Sequence, residues 1–193
     1  MVTDDHDRRR AFISNLYQLG DALHSHGHDA RTADARKTLA QLRRSLTREY
    51  QPAALDFLFE QNPPAREEET WLLVAGLFAL APSSPNHGER RLPLGAAMRK
   101  VDQGASEARM RQLLSVAPNS VAHYVRQAVQ LLRGHNIALN FESLLDDLVT
   151  LSSAPPNSRL AHQVRMKWAR DFHRAIDSSV HADTDDRSGG ASA

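Results

Sequence analysis

The chain has 193 residues, with 24 lysines and arginines against 23 aspartates and glutamates, and no cysteine. That length buries a sizeable core without staples, and the missing cysteine excludes a disulfide framework, thiolate catalysis, cysteine-ligated zinc and iron–sulfur clusters. The net charge of +1 hides a division: residues 8–175 hold 23 basic and 16 acidic groups, a net +7, between two acidic ends, and a basic body of this kind points to a polyanionic partner.

In chain order, every predicted element is a helix. The N-terminus (MVTDDHDRRR) is polar and lacks the apolar core of a signal peptide, so residues 1–7 are expected to be disordered. Phe12, Leu16, Leu19 and Leu23, at spacings of four and three, predict a helix over 8–24. HSHGHD breaks it, and Ala35, Leu39, Leu42 and Leu46 predict the next over 30–49. Pro52 opens a short third helix. Glu67, Glu68 and Glu69 fall in the first turn of the fourth, where the helix dipole favours acids. Its run from Trp71 to Ala81 is the most hydrophobic of the chain, yet far short of the ~20 residues of a membrane span. The expectation is a cytoplasmic protein with no membrane partner.

Prolines and a glycine between 82 and 93 mark a linker. Helices are predicted near 94–102, 105–116, 119–134, 141–152 and 158–178. Ser106, then Asn119 or Ser120, then Asn140 are the candidate N-caps. The tail from 181 to 193 lacks large apolar residues and is expected to be disordered. The predicted fold is an all-α, two-lobed helical bundle of about eight or nine helices. Its lobes are 8–82 and 94–180, joined by a linker loop at 83–93.

The basic residues fall on particular helical faces. At 100° per residue, Lys37, Arg44 and Arg48 point about 200° from Ala35, Leu42 and Leu46, directly outward, while Arg36 and Arg43 flank the apolar stripe. Between residues 31 and 48 the only acid is Asp34, so this helix forgoes the i,i+4 ion pairs that usually support a surface helix. In the last helix Val164, Trp168, Phe172 and Ile176 form the apolar stripe; Lys167, Arg170 and Arg174 share the opposite face near Arg159, with Asp171 the only acid between 159 and 174. Arg165 falls on the apolar side and reads as a buried or interfacial arginine. Arg126 and Arg133, seven apart, share a face, and Arg109 and Arg111 flank a core face made by Met110, Leu113 and Leu114. One-signed faces suit phosphate binding, since each phosphate neutralised releases condensed counterions. No zinc finger, RRM or KH signature is present, and Tyr17, Tyr50, Trp71, Tyr124 and Trp168 sit mostly on apolar faces, so backbone contact without base readout is expected.

Catalytic chemistry lacks a constellation. His24, His26 and His28 alternate in a loop rather than at helical metal spacing, with no carboxylate arranged beside them; a polar interhelical loop is the commoner reading, and a metal-dependent hydrolase built on them is the weakest of three hypotheses. Asp146 and Asp147 diverge by 100° on a helix and do not share a site, so capping or structural pairing is expected of them. P-loop, GxSxG and HExxH motifs are absent from the sequence. The expectation is a protein without enzyme activity, metal or cofactor.

Several segments in order, LPLGAAMRKV, SEARMRQLL, VAHYVRQAVQLLRGHNIALNFESLLDDLVTL and VRMKWARDFH, together resemble the CasB family, the small subunit of the type I-E Cascade complex of CRISPR immunity. The correspondence runs through Leu94-Gly95, Arg109 to Leu114, Leu131-Leu132, Leu144 to Leu148 and Trp168 to Phe172; RKTLAQLRRSL and WLLVAGLFAL extend it into the first half, to residues 31–174 in all. It departs where Asn140-Phe141 stands in place of an Asp-Trp pair, which keeps the N-cap and loses its charge.

The resemblance implies a non-catalytic helical protein, present as two copies along the belly of a crRNA-guided complex. Its implied partners are the backbone subunits, the large subunit CasA, crRNA and target DNA, whose displaced strand it helps to hold. R-loop formation is a near-balanced exchange that protein–backbone contacts can tip. The expected nucleic-acid-binding residues are Arg36, Lys37, Arg43, Arg44 and Arg48 in the first lobe, and Arg109, Arg111, Arg126, Arg133, Lys167, Arg170 and Arg174 in the second, with Arg90 and Arg91 of second rank. The alternative is a helical adaptor whose basic faces meet acidic protein surfaces and never touch nucleic acid.

Overall fold

The computed structural model describes residues 2–24, 30–47, 52–82, 90–101, 103–155 and 157–180. Over these the chain forms α1 (Val2–His24), α2 (Ala30–Ser45), α3 (Pro52–Glu60), α4 (Glu68–Leu80), α5 (Leu94–Arg99), α6 (Gln103–Ser115), α7 (Val121–Gly134), α8 (Phe141–Ser153) and α9 (Arg159–Val180). Short 3-10 turns at Ala65–Glu67 and Pro118–Ser120 lead into α4 and α7. The all-α expectation holds over the described residues, where extended pairing is confined to one isolated bridge, Leu92 to Leu139. The tail from 181 to 193, the linker stretch 83–89, Tyr50, the side chain of Ile176 and the histidines of the HSHGH loop, including the His24 side chain, lie outside the described residues.

Element boundaries differ from the sequence reading where polar side chains intervene. α1 begins at Val2, not at 8; Asp4 pairs with Arg8 one turn on, and Asp5 accepts from Arg66. Acids in a first turn are favoured by the helix dipole, so the segment 1–7 is helical from Val2 onward rather than disordered. α2 closes at Ser45, where the Ser45 hydroxyl donates to the Leu42 carbonyl at 2.6 Å and that of Thr47 to the Arg44 carbonyl at 3.0 Å, taking up the last carbonyls. Ser106 is not an N-cap. α6 starts three residues earlier, and the buried Ser106 hydroxyl donates to the Val101 carbonyl at 3.4 Å. Neither Asn119 nor Ser120 caps α7 with its side chain. Asn140 does cap α8, its side chain accepting from the Ser143 amide at 3.1 Å.

α4 sits at the centre. Trp71, Val74, Leu77 and Phe78 are fully buried; Phe12 of α1 stacks on Trp71 with centroids 4.5 Å apart, and Tyr17 and Phe141 meet Phe78 edge-on. α4 packs on α2 and α3 and also on α7 and α8, so one contiguous set of buried side chains links the two halves of the chain. Side chains this deeply buried contribute roughly 1.5–3 kcal/mol each before entropy is counted.

Two glycines set how closely the helices approach. A Cβ on Gly95 would lie 2.1 Å from the Trp168 carbonyl oxygen and 2.9 Å from the Phe172 nitrogen. α5 therefore crosses the backbone of α9 at a distance only glycine permits, which gives the Leu94-Gly95 pair a packing role. On Gly76 of α4 a Cβ would meet Leu46 at 2.6 Å and the Leu42 carbonyl at 3.1 Å. This seats α2 deeply on α4 and fixes the direction of its outer face.

Candidate nucleic-acid interface

Thr32, Ala35, Leu39 and Leu42 bury one stripe of α2 against its neighbours. Helical periodicity then aims Lys37 and Arg44 away from the core and puts Arg36 and Arg43 on one flank. All four are exposed. None is within ion-pairing distance of a carboxylate among the described residues. Arg43 and Arg44 occupy the last turn, where the carbonyl end of the helix favours positive charge. Arg48, the fifth member of the expected set, lies outside the described residues.

The ridge continues onto α7. Arg126 is half-buried, and its Nη1 donates to the Leu46 carbonyl at 3.1 Å, just past the end of α2. That bond joins the basic end of α2 to the flank of α7 that also carries the exposed Arg133 two turns on. Part of the Arg126 donor capacity is thus spent on holding two helices together, a role its spacing in the sequence did not show.

The remaining expected residues are elsewhere. Arg170 and Arg174 are exposed on the outer face of α9, with Arg159. Arg109 is half-buried on α6; Arg111 is exposed and stands 4.0 Å from Glu107, a contact at the limit of pairing. Lys167 is half-buried and paired within the chain: its Nζ donates to Asp147 Oδ1 at 2.8 Å and to the Ser143 hydroxyl at 3.0 Å, which sets it apart from the exposed cations of α2, unpaired among the described residues. In the linker, Arg91 lies over the Tyr17 ring at 4.1 Å and Arg90 is exposed. Trp71 and Trp168 are fully buried and Tyr17 nearly so, leaving none of these three rings to stack on bases.

The acids that the sequence left without partners turn inward. Glu67 is fully buried at the start of α4 and accepts from Arg9 (2.6 and 2.8 Å) and from Trp71 Nε1 (3.1 Å); Arg9 also donates to Asp146 at 3.0 Å. Burial pushes the Glu67 carboxyl up, but the bonds from Arg9 and Trp71 and the charges of Arg9 and Arg66 outweigh it and leave it below its ordinary value. The Arg9 guanidinium is correspondingly raised by the Glu67 bond, against the effect of its own burial. Asp147 shows the opposite balance: burial prevails over the bonds from Lys167 and Trp168 and holds its carboxyl above the ordinary range. Asp146 thus faces α1 and Asp147 faces α9, the divergence expected of neighbours on a helix. No group of three potential metal ligands occurs among the described residues, and none of their helices is long and apolar enough to cross a membrane.

The family model described as CRISPR-associated protein Cse2 matches residues 38–173. Among solved structures, M. ruber CasB is 27% identical, with 92% of this chain and 98% of that one covered and a TM-score of 0.62. CasB from Thermobifida fusca is 26% identical, with 89% and 96% covered and a TM-score of 0.61. A chain of a CRISPR RNA-guided surveillance complex shares the fold at 18% identity, with 93% and 98% covered and a TM-score of 0.69. No curated protein sequence matches.

Proposed function

The chain belongs to the CRISPR-associated Cse2 family, also called CasB, and from that premise we propose that it serves the type I-E Cascade as a non-catalytic subunit that binds nucleic-acid backbone. In this role it holds the displaced non-target strand and steadies the R-loop, while pairing with crRNA reads the sequence. Its neighbours are the backbone subunits, the large subunit CasA and a second copy of itself.

One observation supports this reading above the others. Arg36, Lys37, Arg43 and Arg44 are all exposed on α2, and none has a carboxylate partner among the described residues. Unanswered guanidinium groups on a rigid helix suit bidentate contact with phosphate oxygens. Arg126 and Arg133 extend the ridge onto α7; Arg109, Arg111, Arg170 and Arg174 form a second set whose strand, guide or protein partner the assembled complex would assign.

The test is binding of single-stranded DNA over a salt series, with Arg36→Glu/Arg44→Glu as the variant. Affinity at low salt is expected to fall at least about tenfold. The slope of log K against log salt should flatten by about 1.4, for two phosphate contacts at roughly 0.7 each. If affinity and slope are unchanged, the ridge does not contact nucleic acid. If the parent protein binds no nucleic acid at low salt and instead captures acidic Cascade surfaces, the adaptor reading replaces this one.

A further inference from the structure

Arg165 carries a charge that no acid answers among the described residues. It is half-buried on α9; its Nη2 donates to the Val116 carbonyl beyond the end of α6 at 2.8 Å, and its Nε is buried without a hydrogen-bond partner. Arg9 and Lys167 each face a carboxylate; Arg126, like Arg165, is held by a backbone carbonyl, but only Arg165 also has a buried nitrogen without a hydrogen-bond partner among the described residues. Withdrawing a cation from water without a counter-charge is unfavourable, so the side chain is held in place at a cost that an incoming anion would relieve.

The surroundings suit such an anion. Asn157, Ser158, Arg159, His162 and Arg165 line a depression of about 470 Å³ at the beginning of α9. Among the described residues the lining holds two permanent cations, an imidazole, a hydroxyl and a carboxamide, with neither an acid nor a large apolar side chain. Arg159 and His162 are exposed and free to close on a ligand, whereas Arg165 is anchored from behind by the Val116 carbonyl. One anchored and one exposed guanidinium around a concave polar pocket match a tetrahedral group with several acceptor oxygens. Anchoring also reduces the ordering that binding would otherwise require.

We propose that this pocket binds a phosphate group. The site is separate from the α2 ridge and does not depend on the ridge contacting a strand. A free phosphoryl anion, the phosphorylated end of a strand and an internal backbone phosphate all present the same chemistry to it.

The experiment titrates the full-length 15N-labelled chain with inorganic phosphate at constant ionic strength, following the Arg165 Nε–H signal. A saturable shift is expected, weakened about tenfold in Arg159→Gln/His162→Gln, since hydrogen bonds to charged groups contribute on that scale. Both substituted residues are exposed, so the fold survives, and the unchanged Arg165 reports directly. A shift that rises linearly without saturation, or that all exposed arginines share, overturns the proposal. Short oligonucleotides with a 5′-phosphate or a 5′-hydroxyl then compete with the bound phosphate. Displacement by both identifies a backbone phosphate, by the first alone a strand end, and by neither a free anion. The Arg36→Glu/Arg44→Glu variant should titrate like the parent protein, so failure of the ridge and failure of the pocket are read independently.

Discussion

Arg9 and Arg44 are the same residue type on successive helices, and the fold uses them in opposite ways. Arg9 is drawn inward between two carboxylates, one of them fully buried; Arg44 points into solvent without a partner among the described residues. The difference is set by which acids each helix can reach. α1 lies against the start of α4 and against α8, which supply Glu67 and Asp146. The buried stripe of α2 is Thr32, Ala35, Leu39 and Leu42, drawn close to α4 at Gly76, so among the described residues it brings no carboxylate behind the outer face. Charge serves architecture in the first region and remains available to a ligand in the second.

The largest effect that would sharpen this contrast is in the inward network. Glu67→Ala leaves the Trp71 indole without its acceptor and Arg9 with Asp146 alone; breaking a buried pair of this kind costs about 3–5 kcal/mol, read as a lower urea midpoint. Nucleic-acid affinity per folded molecule should not change. The same pair predicts a pH dependence. Because the folded-state carboxyl of Glu67 lies below its ordinary value, its contribution is complete above that ordinary value and is lost as the pH falls through the depressed one. A Glu67→Gln variant should lack this acid-side loss.

Asp147→Asn is the smaller companion. The amide still accepts from Trp168, and Lys167, 41% exposed in its side chain, can hydrate, so the cost should be about 1 kcal/mol. Here the sign reverses. Burial raises the folded-state carboxyl, so the parent protein gains stability from this group as the pH falls from the raised value to the ordinary one, and the variant should lack that gain. Freeing Lys167 should steepen the salt dependence of single-stranded DNA binding by up to about 0.7 if the α8–α9 face contacts a strand; an unchanged slope would restrict contact to other faces.

The legible and illegible parts of the chain divide along the same line. Helix periodicity, the cap at Asn140 and the acid-poor face of α2 are local in sequence and were readable. The partners of Arg9 lie 58 and 137 residues away, and Lys167 meets Asp147 across a helix pair; spacing within one helix cannot show which cations another helix will neutralise. The pairing of Lys167 is therefore invisible in its helical spacing, while the four described members of the α2 set are exposed as that spacing predicts. Pairing across helices also explains the early start of α1, since the attraction between Asp5 and Arg66 comes from the turn before α4.

The smallest effect separates two reasons for a cation on α2. Arg44 lies in the last turn, where the carbonyl end of the helix attracts it; Arg36 lies in the middle, where that field has faded. Arg44→Ala should therefore destabilise the fold by roughly 0.3–1 kcal/mol at low salt and by much less at high salt. Arg36→Ala should be neutral within about 0.5 kcal/mol at either, since alanine is the better helix former and no ion pair is lost. If both arginines serve phosphate, the two variants should weaken single-stranded DNA binding alike, each flattening the salt slope by about 0.7. Equal losses of binding with unequal losses of stability would show that strand contact does not derive from helix-end electrostatics. A binding defect confined to Arg44→Ala would reduce the ridge to the end of one helix.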